Sequence, residues 1–88
     1  MKLSFDFSIQ EVADKFIAVA KNRETGTVEQ VFSLNETGAL ILKGLQESKD
    51  IPTITEQLLT HYDVQPEEAE SEVKAFIDML IKNGLVSL

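Results

Sequence analysis

The sequence has no cysteine and a single histidine, His61. Without cysteine there is neither a disulfide framework nor a thiolate site for zinc or an iron–sulfur cluster, and with one histidine the commonest metal ligand is almost missing. We therefore expect no metal ion and no cofactor, and a fold stabilised by apolar packing. The length of 88 residues suits one small domain that spans residues 1–88.

Long apolar segments and clustered positive charge are also missing. Runs such as Ala39–Leu42 are too short to span a bilayer, and residues 1–6 lack the apolar stretch of a signal peptide. Fifteen acidic residues against eight basic ones give a net charge of −7. Because an acidic surface repels polyanions, we expect neither nucleic acid nor a membrane as a partner. We predict a cytoplasmic protein.

The first third of the chain has the pattern of an antiparallel meander. Apolar side chains alternate with polar ones in residues 5–12, and residues 15–20 are rich in β-branched and aromatic side chains. The segment Ala13–Asp14 predicts a tight turn, and residues 22–26 supply turn residues before a third strand over residues 27–34.

Three helices are predicted after residue 34, because the apolar period changes from two to 3.6. Asn35 and Asp50 are predicted N-caps, and Pro66 is predicted in the first turn of the longest helix. Asn83–Gly84 predicts its C-terminal end, because glycine adopts the left-handed conformation without steric cost. We predict an α+β fold in which a three-stranded antiparallel sheet is followed by a three-helix bundle.

Two expectations concern tertiary packing. Gly38 lies on the apolar stripe of the first helix, and we expect it to let another backbone approach closely. Leu85–Leu88 is expected to fold back as a short strand or apolar tail, which is one way to cover the third strand.

Catalytic chemistry has little support in the sequence. His61 has no partner at the end of a short helix, and the glutamates of residues 67–72 are typical of a solvated helix face rather than a cation site. Asn35 matches a glycosylation pattern with Glu36 and Thr37, but helix capping explains it better. We expect a protein that is not an enzyme.

The third predicted strand has few of the features that prevent another strand from pairing with an exposed edge. A three-stranded meander has two edges whose unpaired amides and carbonyls can bind another extended chain. Residues 27–34 contain no proline and only one charged side chain, Glu29. The alternative is an edge covered by a helix or by the C-terminal tail.

A set of short motifs resembles the PqqD-like proteins. The motifs are Leu34–Ile41, Leu58–Val64, Val73 to Phe76, Leu80 and Gly84–Val86, within a match over residues 7–86. The resemblance implies a winged helix-turn-helix-like domain that recognises the leader of a ribosomally made precursor peptide. It also implies presentation of that peptide to a modifying enzyme, often a radical SAM enzyme.

The resemblance further implies that the leader adds beside the third strand, in a groove next to the third helix. Carried onto this sequence, the peptide-binding residues are Val28, Glu29, Gln30, Val31, Phe32, Ser33, Val73, Phe76 and Met79. The strand residues supply main-chain pairing and the helix residues supply apolar contacts. Val73 and Phe76 are also well suited to the core, and the core is the favoured interpretation of both residues.

Two alternatives remain at this point. A DNA-binding regulator is disfavoured, because the N-terminal part of the recognition helix carries four carboxylates within residues 66–72. A structural or dimerisation module, such as a homodimer that uses the same sheet edge, is the other alternative.

Overall fold

The computed structural model describes residues 2–87. The strands are β1 (Lys2–Leu3), β2 (Asp6–Val12), β3 (Lys15–Lys21), β4 (Val28–Leu34) and β5 (Val86–Ser87), and the helices are α1 (Glu36–Gln46), α2 (Ile51–His61) and α3 (Pro66–Lys82). The predicted α+β order of a three-stranded antiparallel meander followed by three helices is confirmed. Leu88, which the prediction included in the tail, lies outside the described residues.

The main sheet has the strand order β2-β3-β4, so β3 is central and both neighbours are edge strands. The predicted turn is confirmed, since Val12 pairs with Lys15 and leaves Ala13 and Asp14 as the loop. Ala13 has a φ of 56°. A register shift in the β3–β4 pair follows Ala20, so Glu29 has no partner residue on β3.

One face of this sheet packs on the helices and forms the hydrophobic core. Alternate residues of the strands point to that face, and Ala18 and Ala20 in the central strand are both fully buried. Their small side chains leave room for α1 to cross the sheet. The core joins sheet and helices in one cluster that includes Phe7, Leu34, Ile41, Leu42, Ile54, Leu58, Val73 and Leu80.

The predicted helix caps are confirmed. The side chain of Asn35 accepts a hydrogen bond from the Gly38 backbone N–H at 2.7 Å, and that of Asp50 accepts one from the Thr53 N–H at 2.9 Å. Each bond satisfies an amide that the first helical turn leaves without an internal partner. Asn35 therefore has a structural role at the start of α1.

Glycine in α1 makes room for side chains rather than for another backbone. A Cβ on Gly38 would lie 3.1 Å from Phe76 Cε1 and 3.5 Å from Leu34 Cδ2, so the expectation of a close backbone is wrong. Gly44, for which no packing role was predicted, is tighter still, because a Cβ there would lie 2.8 Å from Ile54 Cγ1.

The C-terminal strand pairs with the N-terminus and not with the main sheet. Leu3 pairs with Val86 in the antiparallel β1–β5 ladder, and the Ser4 N–H donates to the Leu85 carbonyl at 3.0 Å. The predicted short strand is confirmed at residues 86–87, and the alternative in which the tail covers the third strand does not hold for residues 85–87. Within residues 2–87 no helix combines the length and the apolar character needed to cross a membrane.

Candidate functional site

The direction of the main-chain groups in β2 follows from the hairpin. Opposite residues of an antiparallel pair alternate between those that exchange both hydrogen bonds and those that exchange none. The two-residue loop makes Val12 and Lys15 a bonded pair, so the even-numbered residues of β2 bond to β3. The N–H of Phe7 agrees, because it points away from β3 and donates to Gln46 Oε1 at 3.1 Å.

The same alternation fixes the free edge of β4. Residues 16, 18 and 20 of β3 direct their main-chain groups toward β4, where they pair with Leu34, Phe32 and Gln30. The main-chain groups of Val31 and Ser33 therefore point away from the sheet. No other strand within residues 2–87 pairs with this edge. Two residues of β4 thus offer unpaired N–H donors and C=O acceptors.

The side chains of β4 differ between the two faces of the sheet. Val31 lies opposite Val19 on the face away from the helices and is 61% exposed, and Val28 is 50% exposed. Phe32 points to the core, where its ring packs edge-on against Phe7 with centroids 6.3 Å apart. Glu29 and Ser33 are exposed.

Helix α3 provides a wall beside this edge. The Nε2 of Gln30 donates to the Asn83 carbonyl at 3.1 Å, which connects β4 to the C-cap of α3. Phe76 and Met79 share one helix face with Asn83 through i, i+3 and i+4 spacings, and both are half-buried. Phe76 also contacts the start of α1 at Gly38. The free edge of β4 and this helix wall are together called here the β4–α3 groove.

The predicted site residues divide into two groups. Those of β4 supply the free edge and its flanks, and Phe76 and Met79 present partly exposed apolar side chains. Val73 differs, because it is 0% exposed in the centre of the core. This position favours the core over a role in lining a pocket, since no part of the side chain is accessible to a ligand.

Charges of both signs lie beside the groove, and Lys82 is exposed three residues after Met79 on α3. Glu29 lies at the register shift near the Asn83 end, and helical spacing places Glu72 on the same face as Phe76 near the other end. Glu67, Glu68 and Glu70 are exposed in the first turns of α3. His61 ends α2 with its Nδ1 2.9 Å from the Gln57 carbonyl, far along the chain from the groove.

A small α+β domain with an unpaired sheet edge beside a helix belongs to the class of folds that can accept an extended chain by strand addition. The family model described as Coenzyme PQQ synthesis protein D (PqqD) matches residues 9–86, and the chain belongs to this family. The resemblance drawn from the sequence is thereby confirmed.

Two solved structures have the same fold. One, described as "TbiB1 in Complex with the TbiA(beta) Leader Peptide", is 24% identical, covers 99% of this chain and 95% of that chain, and has a TM-score of 0.74. The other, described as "Lasso peptide synthetase B1 complexed with the leader peptide", is 22% identical, covers 99% of this chain and 96% of that chain, and has a TM-score of 0.73. No curated protein matches the sequence significantly.

Proposed function

We propose that this protein binds the leader segment of a ribosomally synthesised precursor peptide, which adds as a strand to β4 in the β4–α3 groove. The observation that carries the proposal is the outward direction of the main-chain groups of Val31 and Ser33 on an edge that the described chain leaves unpaired. Membership of the PqqD family supports it, as do two similar folds that are both described as complexes with leader peptides.

The energetics assign separate roles to backbone and side chains. Two outward residues allow up to about four main-chain hydrogen bonds, each with a net contribution of about 0.5–1.5 kcal/mol. A dissociation constant of about 1 μM corresponds to roughly 8 kcal/mol, which these bonds do not reach after the peptide has been ordered. Apolar anchors of the leader against Phe76 and Met79 supply the remainder and select its sequence.

The net negative charge of the protein favours a leader with basic side chains. Glu29 and Glu72 are exposed carboxylates, and the protein as a whole carries a net charge of −7. A basic residue near either end of the bound segment gains attraction without steric conflict. An acidic leader would meet repulsion, and its association would become faster as salt is added.

In this proposal the protein is a non-catalytic carrier formed by one domain, and it presents the core of the precursor to a modifying enzyme such as a radical SAM maturase. DNA recognition is the weaker alternative, because four carboxylates lie within the N-terminal part of α3, the segment that would enter the major groove of DNA. A homodimer through β4 would occupy the same edge, so leader binding and such a dimer exclude each other.

The test is an NMR titration of the protein with a synthetic leader from the precursor encoded beside it. We expect amide shift changes concentrated at residues 28–33 and at Phe76 and Met79, and few changes on α2. Shift changes confined to other elements, or none with any neighbouring precursor, would contradict the proposal. A mobility shift with duplex DNA, and sedimentation at increasing protein concentration, test the two alternatives directly.

A further inference from the structure

The other edge of the sheet borders a cavity that the proposed leader groove does not use. The cavity has a volume of about 500 Å³ and lies between the β2–β3 hairpin and one face of α1. Its apolar part is formed by Ile9, Phe16, Ala39 and Leu40. Cavities of this size accommodate small ligands or a few side chains of a peptide.

The strand beside this cavity has unpaired main-chain groups. Because the even-numbered residues of β2 bond to β3, the N–H and C=O groups of Ile9 and Glu11 point out of the sheet. The next outward amide, that of Phe7, is already bonded to Gln46, so the open part of the edge is short. No further strand of the described chain lies against β2. An extended polypeptide is the ligand that such groups recognise.

The charged side chains are distributed unevenly along the cavity. One row across the sheet is formed by Glu11, Phe16 and Leu34, and α1 begins two residues after Leu34, at Glu36. The carboxylates of Glu11 and Glu36 therefore both lie toward the end of the cavity that is nearest to this row. The Tyr62 hydroxyl donates to Glu36 Oε1 at 2.9 Å and closes the same end. Lys43 lines the cavity nearer to Gln46, at the Phe7 end. The carboxylates of Glu11 and Glu36 therefore lie toward one end and the ammonium of Lys43 toward the other, and His61 also lines the cavity.

We infer that the β2 edge and this cavity form a second docking site, whose occupant is an extended segment of the modifying enzyme. The matching segment carries a basic side chain for Glu11 and Glu36, an apolar side chain over Leu40, and an acidic side chain for Lys43. The inference rests on the proposed function: a protein that holds a leader and presents it to an enzyme needs two surfaces that do not overlap. The β2 and β4 edges satisfy this, because β3 separates them.

The test uses the full chain, the enzyme that modifies the precursor, and the leader peptide. A double charge reversal, Glu11→Lys with Lys43→Glu, keeps the net charge at −7 and changes two exposed side chains. Glu56→Lys with Lys74→Glu is the matched control, because both residues are exposed and lie on α2 and α3, away from the cavity lining.

We expect the cavity variant to bind the enzyme at least about tenfold more weakly, which corresponds to 1.4 kcal/mol, and to bind the leader as the wild type does. We expect the control to bind both as the wild type does. Added enzyme should perturb the amide signals of Ile9, Glu11 and Leu40. Equal enzyme affinity of the two variants, enzyme contacts confined to β4, or no association with the wild type would each overturn the inference. If the wild type binds the enzyme but does not bind the leader, the result would instead count against the proposed function.

Discussion

Gln30 and Asn83 are 53 positions apart in sequence and are joined by a hydrogen bond of 3.1 Å between the Gln30 Nε2 and the Asn83 carbonyl. Asn83 is the C-cap of α3, and its side-chain amide also donates to the Met79 carbonyl at 2.8 Å. The edge strand and the helix wall of the β4–α3 groove are thus connected at one end. At the other end, the ring of Phe76 fills the space above Gly38.

Gln30→Ala should widen the groove with little effect on the fold. The lost hydrogen bond is exposed, so we expect the free energy of unfolding to fall by about 0.5–1 kcal/mol. Leader affinity should fall further, by about threefold to tenfold, because the helix wall is no longer held at a fixed distance from the edge. Urea unfolding and calorimetric titration measure the two effects. Gln10→Ala, an exposed glutamine on the opposite edge strand, is the control and should change neither.

Val31→Pro should abolish most leader binding in a folded protein. Proline removes an N–H that points out of the sheet, where the fold itself does not use it, and edge strands tolerate proline at such positions. We expect at least a tenfold loss of affinity, about 1.4 kcal/mol. Val31→Thr keeps the N–H and the side-chain shape, so it should bind almost as the wild type does.

The comparison of these two variants separates main-chain pairing from side-chain contact. An amide spectrum with the native dispersion shows that each variant is folded. Similar losses in both would mean that the Val31 side chain, and not its backbone, contacts the leader, and strand addition would be contradicted.

Gly44→Ala should destabilise the protein although alanine favours helices. A Cβ at this position would lie 2.8 Å from Ile54 Cγ1 and 3.2 Å from Ile54 Cδ1, and Ile54 is fully buried. Overpacking of this kind lowers the free energy of unfolding by about 1–3 kcal/mol, and the higher helix propensity of alanine raises it by about 1 kcal/mol. We expect a net loss of about 1 kcal/mol in urea unfolding. Lys43→Ala, its exposed neighbour, should be close to neutral, and a stabilised Gly44→Ala protein would contradict the packing.

Asp50→Asn should reduce the dependence of stability on acid pH. Hydrogen bonds from the Thr53 side chain and backbone lower the pKa of Asp50 below its ordinary value. The stability that this carboxylate adds to the folded protein is therefore fully present at a pH above the pKa of Asp50 in the unfolded chain. It is lost as the pH falls through the lower pKa of Asp50 in the folded protein. Asparagine caps helices about as well and does not titrate.

The measurement for this variant is urea unfolding at about pH 7 and about pH 3, on either side of the ordinary aspartate pKa. The wild type should lose more stability than Asp50→Asn between the two conditions. Asp63→Asn, an exposed aspartate for which the structure shows no capping bond, serves as the control. Parallel pH profiles for wild type and Asp50→Asn would contradict the role of the cap.

The local features were predictable from sequence, because neighbouring residues determine them. The turn at Ala13–Asp14 follows from two strand-like segments separated by two residues, and the caps at Asn35 and Asp50 follow from side chains that satisfy amides two or three positions later. The end of α3 at Gly84, where φ is 69°, follows from the freedom of glycine in the left-handed region.

The groove residues were predictable only in part. The pattern of β4 predicted an edge, but which of its amides are free depends on the register with β3. Val73 and Phe76 lie on similar parts of one apolar stripe, and only the packing of α3 places Val73 in the core and Phe76 at the groove.

The sequence by itself therefore determined the α+β class, the order of the three main strands and three helices, and the caps at Asn35 and Asp50, since these depend on hydrogen bonds and periodicity within a few residues. It did not predict β1. Only the tertiary structure decided that the C-terminal strand pairs with Leu3 and leaves β4 open, and that Ile54 closes on Gly44. The physical reason is that such contacts form between distant segments that compete for the same apolar surface. The absence of cysteine and the near absence of histidine disfavour a metal site, whereas the proposal of a peptide ligand depends on the free edge of β4.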